Sequence, residues 1–470
     1  MAKAQALFAP KDMTQGTPWK RIVEFTIPML IGNVAQQFYN TADSIIVGRY
    51  IGDNALAAVG SASPVLNLLL VLFVGVSVGA GIMVSQYFGA KDREQLSKTI
   101  GTCITLTAIT SGAIMIIGPL VSRPLLVYLN TPPTIIHWCA AYLNIFFLGS
   151  AGFSFYNILS GVLRGLGDSL SALVFLLTST ALNVVLDILF VARFGMGVPG
   201  VALATVIAQG ISAVFCLLKI LKMKDSFDLN WSMLKLNKEH SLSVIRLGLP
   251  SGLTQAVFSL AMIVVQSLTN SFGEMVIACN VIVMRVDGFA MMPNFSFGSA
   301  MTTFAGQNIG AKKMDRVEQG TRDGTKVAVA VSTTITIFLL VFGHHLMKVF
   351  TDTAELVDLS MHMMRILALG YIAMAITQCL SGVMRGAGDT ITPMWISLIT
   401  TVVIRVPLAY GIAYFTRSQL YPTGRPESTF ISLLLSWTIG AILTMRYYKK
   451  GTWREKTFTR NTGLPISNKN

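Results

Sequence analysis

Long apolar runs, parted by short polar turns, follow one another along almost the whole chain. Twelve are long enough to cross about 30 Å of hydrocarbon as helices. They span 21–48, 55–85, 95–118, 135–163, 169–192 and 198–222 in the first half. The second half supplies 242–270, 276–306, 316–343, 358–384, 391–415 and 428–448. None shows the polar–apolar alternation of a barrel strand, and a closed barrel is the only other spanning solution for a backbone in lipid. The pattern predicts an all-α integral membrane protein of twelve transmembrane helices. Six spans per half is an even number, so both halves enter the membrane with the same orientation.

The chain also repeats itself. Residues 159–168 read LSGVLRGLGD and residues 380–389 read LSGVMRGAGD, alike at eight of ten positions and 221 residues apart. The same offset carries QYFGAK at 86–91 onto QNIGAK at 307–312. Two homologous lobes follow: an N-lobe over 1–222, a cytoplasmic basic linker over 223–241, a C-lobe over 242–448, and a cytoplasmic tail over 449–470. They form two parallel six-helix repeats, related by a pseudo-two-fold axis along the membrane normal. A repeat of this kind in a membrane chain points to a transporter with its pathway between the halves. The repeated turns GAKDREQ, GAKKMDR, RGLGD and RGAGD read first as structure: Gly makes the tight bend and Asp caps the next helix. They also suit hinges for rocking.

Composition narrows the function. The 470 residues are 53% hydrophobic and 12% charged, too apolar for a soluble domain of this size. A net charge of +14 invites a nucleic-acid reading, but the distribution argues against it. Most of the 36 Lys and Arg fall in the termini and the even-numbered loops, the positive-inside pattern that puts both termini in the cytoplasm. Lys219, Lys222, Lys224, Lys235, Lys238 and Arg246 around the linker read as a topology and lipid-headgroup signal. Cys103, Cys139, Cys216, Cys279 and Cys379 lie in or near spans without CxxC spacing, which indicates neither a disulfide framework nor a metal site. His137, His240, His344, His345 and His362 read as surface or packing residues. The sequence contains no GxxxxGK[ST] loop, HExxH or Gly-x-Ser-x-Gly elbow. The chain is therefore expected to be no enzyme, to need no cofactor, and to work on an ion gradient or passively.

Ionisable residues inside a membrane are costly and need a reason. Asp43 and Asp187 each lie about five residues short of the outer end of an outward-running span, the first and the fifth, so both carboxyls sit at one depth. Thr205 in the sixth span joins that level. Gln36, Asn40 and Asp43 make one stripe at i, i+4 and i+7, and Asn183 precedes Asp187 by one turn. Carboxylate, amide and hydroxyl oxygens suit a hard monovalent cation such as Na⁺. Equally, two close carboxyls do not readily both ionise, and one of the pair would then hold a proton. A different set lies in the second lobe: Arg285 and Asp287 in the eighth span and Arg405 in the eleventh. This set reads either as a fixed ion pair or as a substrate or switching site. The 23 Met include Met284, Met291, Met292 and Met301 along the eighth span, which suit either ordinary packing or a surface for varied apolar ligands.

Taken together, these residues resemble the multidrug and toxic compound extrusion (MATE) family. The resemblance is carried by twelve spans in parallel halves, NTADSIIVGRYIG at 40–52, the LRGLGD and MRGAGD turns, and VIRVPLAY at 403–410. It covers nearly the whole chain and implies two bundles forming a V-shaped cleft. It also implies a cation-coupled antiporter of amphipathic, often cationic, compounds, working by alternating access. Family members with a first-lobe cation site build it from an Asp on helix 1, an Asn and an Asp on helix 5 and a Thr on helix 6. Here those are Asp43, Asn183, Asp187 and Thr205, with Gln36 and Asn40 in support. The seventh and tenth spans lack the carboxylates of a NorM-like second-lobe site, which brings the chain closer to the DinF-like branch. The expected setting is the bacterial cytoplasmic membrane, with each chain, holding both lobes, able to transport alone. A flippase of lipid-linked precursors is the alternative; its phosphate groups would have only Arg285 and Arg405 to meet.

Overall fold

In the computed structural model, residues 11–129 and 131–456 are described, and helices dominate them. The N-terminal half contains α1 (Pro18–Tyr50), α2 (Asp53–Ala90), α3 (Arg93–Tyr128), α4 (Ile136–Leu148), α5 (Ser150–Gly165), α6 (Ser169–Asp187) and α7 (Gly197–Leu221). The second contains α8 (Lys238–Asn270), α9 (Glu274–Gly310), α10 (Met314–Lys348), α11 (Ala354–Ala368), α12 (Gly370–Gly386), α13 (Ile391–Leu398), α14 (Arg405–Phe415) and α15 (Glu427–Lys450). One π-helical stretch, Ile188–Arg193, extends α6, and another, Ile399–Ile404, joins α13 to α14.

Among the described residues, nine helical runs are long and apolar enough to cross a membrane, and two bent pairs bring the number to eleven. The bent pairs are α4 with α5 (52°) and α11 with α12 (41°). Adding α1, 33 residues long, gives the twelve expected spans.

Contacts divide the chain into two compact units, Met1–Asp12 with Ile27–Gly252, and Met13–Thr26 with Leu253–Asn470. Each is built on the same close crossing. In the first, α5 lies so near α2 that a Cβ at Gly165 would stand 2.7 Å from the Gly81 carbonyl oxygen, and one at Gly161 would strike Ser77. In the second, Gly382 and Gly386 of α12 meet the Gly298 and Thr302 carbonyls of α9 in the same way. Each of these four positions in the second unit is its counterpart's number plus 221. Helices without a hydrophobic force between them in lipid approach closely where side chains are small.

Turn chemistry repeats with the packing. Gly167 and Gly388 take φ of 88° and 98°, and Lys91 and Lys312 take 55° and 58°. The αL conformation closes a helix while satisfying its last carbonyls, as the Lys91 N–H does on Phe88. The Asp caps form as expected. Asp168 accepts from the Ser171 N–H at 2.9 Å and its hydroxyl at 2.7 Å, and Asp389 accepts from the Thr392 N–H at 3.2 Å. Both caps are buried and each carries a lysine, Lys219 at 3.6 Å and Lys456 at 2.9 Å.

Two segments pack where sequence alone does not place them. The basic linker lies docked on α3: Arg93 binds Asp228 through two hydrogen bonds of 2.7 and 2.8 Å and also holds the Asp225 and Lys224 carbonyls. Phe227 is buried beneath it, and Thr105 donates to the Leu234 carbonyl. In the second unit, Arg316 donates to the Met13, Gln15 and Gly16 carbonyls, Lys313 to that of Thr14, and Gln307 accepts from the Met13 N–H. The divide between units falls inside α8 because its first turns pack on α2. There a Cβ at Gly75 would stand 2.9 Å from the Gly248 carbonyl oxygen.

Candidate functional site

In the first unit, α6 ends on a carboxylate. Asp187 and Asn183, one turn apart on that helix, are both fully buried, and Thr205 on the facing α7 is 9% exposed. The Asn183 amide meets its surroundings best with Nδ2 donating to Asp187 Oδ2 at 2.9 Å. Its Oδ1 then accepts from the Thr205 N–H at 3.2 Å and the Thr205 hydroxyl at 3.3 Å. That hydroxyl also reaches the Val201 carbonyl at 3.1 Å. Apolar residues close by in the chain are buried too: Val191, Val198 and Val201 belong to one core cluster, with Val184 packed against it. The structure thus brings together three of the four predicted residues and orders them by hydrogen bonds. The side chains of Asn40 and Asp43 lie outside the described residues; Gln36 is half-buried on α1.

Directly after Asp187 the helix widens. The Phe194 N–H closes on the Leu189 carbonyl, an i→i+5 bond, so the chain beyond the carboxylate turns by a π rather than an α step. Such bulges rotate the following face and recur at functional sites. One residue was missed by sequence reading. Gln209 lies one turn beyond Thr205 on α7, is 7% exposed, and its Oε1 has no hydrogen-bond partner. Its spacing of four from Thr205 is the signal that could have found it.

The second unit sorts its charges differently from the expected trio. Arg405, at the start of α14, is buried and Asp287 on α9 is half-buried. They do not close into a direct ion pair. Arg405 Nη1 donates to Met262 Sδ at 3.2 Å and the Tyr371 hydroxyl of α12 to Met364 Sδ at 3.7 Å, while Asp287 Oδ1 is buried without a hydrogen-bond partner. Arg285 is exposed and joins neither. Residues two positions apart on a helix stand about 200° apart, so Arg285 and Asp287 look in opposite directions, which depth along the chain does not reveal. Met291, Met292 and Met301 are buried packing residues, and Met284 lines a small pocket with Arg405.

Comparison with known proteins now decides the family. The MatE family model matches residues 28–189 and again 250–411, one copy per lobe. The chain belongs to the MATE family. It is 30% identical over 450 residues to the probable multidrug resistance protein YpnP of Bacillus subtilis, covering 95% of this chain and 99% of that protein. The probable multidrug resistance protein YoeA of the same organism is 29% identical over 469 residues, covering 98% of this chain and 99% of the relative. Among solved structures, an outward-facing multidrug resistance MATE family transporter superposes with a TM-score of 0.87 at 24% identity, over 94% of this chain and 98% of that one. MATE proteins are transporters, and this one is an integral membrane protein of the two-repeat, twelve-helix fold rather than an enzyme.

Proposed function

We propose that this MATE protein exports small amphipathic, often cationic, compounds from a bacterial cell in exchange for H⁺ or Na⁺, by alternating access. The observation that carries the reading is the fully buried Asp187, hydrogen-bonded through Asn183 to Thr205 at the start of a π-helical step. The relatives' names support the substrate class, since YoeA and YpnP are probable multidrug resistance proteins and MepA of Staphylococcus aureus is a multidrug export protein. In this reading Asp43 completes the site. A proton or sodium ion taken up from outside neutralises the two carboxylates, relieves their repulsion and lets α1 rearrange, which weakens the substrate site. Release of the ion to the cytoplasm restores the charge and favours substrate capture. Each elementary charge crossing 100 mV is worth about 2.3 kcal/mol, so one entering ion balances one leaving monovalent cation. The protein sits in the cytoplasmic membrane with both termini inside, needs no cofactor and works as a monomer among lipids.

The test is cationic-dye transport in proteoliposomes under an imposed pH or sodium gradient, for wild type, Asp187→Asn and Asp43→Asn. Wild type is expected to respond to one gradient, and both variants to lose at least tenfold of the driven rate. Full gradient-driven transport by Asp187→Asn overturns the assignment of the coupling site. Absence of dye transport under either gradient moves the substrate to lipid-linked precursors.

A further inference from the structure

A small pocket in the second unit, apart from the Asp187 cluster, is lined by Met262, Gln266 and Thr269 of α8, Asn280 of α9, Arg405 of α14 and Thr429 of α15. Arg405 is its one charged wall and is 3% exposed. The other polar walls are all engaged with the protein. Thr269 donates to the Val265 carbonyl at 3.1 Å and Thr429 to the Pro426 carbonyl at 3.0 Å. Asn280 donates to Gln266 Oε1 at 3.2 Å, and Gln266 donates on to Asn270 Oδ1 at 2.8 Å. Asn280 and Gln266 each keep one neutral amide N–H, and the guanidinium is the one cationic donor among the walls. Its Nε is buried without a partner, and its Nη1 has a thioether, a weak acceptor, as its hydrogen-bond partner. A buried charge is costly until it is paired and hydrogen-bonded. Asp287 lies outside ion-pair distance of Arg405 and leaves its Nε bare.

We propose that this pocket binds one small monovalent anion, of the size and charge of chloride, on the Arg405 guanidinium. Size and charge both select it. The space admits about one water-sized particle, which excludes sulfate, phosphate or an organic carboxylate. Water would supply an acceptor but no counter-charge, and a cation is repelled. Apolar walls from Val265, Phe430 and Leu433 favour a weakly hydrated halide over a strongly hydrated ion. The bound anion would tie α8, α9, α14 and α15 together through a charge-assisted contact. This site stands independently of the transport reading.

The experiment uses the full-length protein in lipid nanodiscs. Its thermal unfolding midpoint is followed in sodium chloride, bromide and gluconate at equal sodium and ionic strength. Chloride and bromide are expected to raise the midpoint by about 2 °C or more over gluconate, saturably. The shift should vanish in Arg405→Gln and persist in Arg285→Gln, whose guanidinium is exposed. Should Arg405→Gln not fold, Thr429→Leu keeps the guanidinium and fills the space, and the same loss is expected. Crystals grown in bromide should show an anomalous peak beside Arg405 Nε. A wild-type midpoint indifferent to halide, a shift undiminished in Arg405→Gln or Thr429→Leu, or a bromide map empty at Arg405 would each overturn the proposal.

Discussion

At the scale of single residues, the N-lobe cluster separates packing from function by the sign of a substitution. Gln209 holds a buried carbonyl oxygen with no partner, one turn from Thr205. Replacing such a group by an apolar side chain of similar shape is neutral or stabilising for the fold, since no hydrogen bond is lost. If Gln209 instead lends its oxygen to the coupling cation, the same change weakens coupling while the fold holds. Gln209→Leu is therefore expected to leave the unfolding midpoint unchanged or raised, and to require about tenfold more coupling cation for half-maximal transport. An unchanged cation dependence in proteoliposomes would restrict the site to Asp43, Asn183, Asp187 and Thr205. Of these, Asn183, Asp187 and Thr205 were legible because a polar residue in an apolar span is conspicuous. Gln209 escaped notice because an amide in a span is common and its lack of a partner is a three-dimensional fact.

Among elements, the linker is the instructive case. Its lysines read as a topology signal, yet Arg93 and Asp228 anchor it against α3 by a bidentate, charge-assisted contact. The Arg93 guanidinium holds the Asp228 carboxyl below its ordinary range. A depressed carboxylate contributes above its unfolded pKa and loses that contribution as pH falls through the folded value. The linker is therefore expected to stay docked at neutral pH and loosen only in acid. Limited proteolysis between Lys222 and Lys238 should be slow at pH 7 in wild type and several-fold faster in Arg93→Ala. The pair is largely exposed, so the global unfolding midpoint is expected to move little. Equal cleavage of wild type and Arg93→Ala would show that Phe227 and the α3 backbone contacts suffice.

Across the whole molecule, the repeat makes a topological prediction. Parallel repeats put homologous turns on the same side of the membrane; inverted repeats would put them on opposite sides. Lys91 and Lys312 close α2 and α9, while Gly52 and Gly273 precede those helices, again 221 residues apart. The five native cysteines are all buried, so labelling of single introduced cysteines has a quiet background. Lys91→Cys and Lys312→Cys should react with a membrane-impermeant maleimide only in inside-out vesicles. Glu274→Cys, exposed at the start of α9, reports the opposite face and should react only in intact cells. Labelling of Lys91→Cys and Lys312→Cys from different sides would refute the parallel arrangement.

From the sequence alone follow the helical class, the number of spans, the repeat with its offset, the family, and Asn183, Asp187 and Thr205 as polar residues within apolar spans. These depend on quantities that are one-dimensional: how long a run is apolar, where charges fall between runs, and which words recur. Azimuth and closure belong to the tertiary structure. It left Arg285 exposed, buried Arg405 outside ion-pair distance of Asp287, opened π turns after Asp187 and before Arg405, and left the Arg405 Nε without an acceptor. The physical reason is that a helix turns about 100° per residue, so a small change of pitch redirects a side chain without altering its depth. Depth can be counted along a chain, but direction is decided by what the helix packs against.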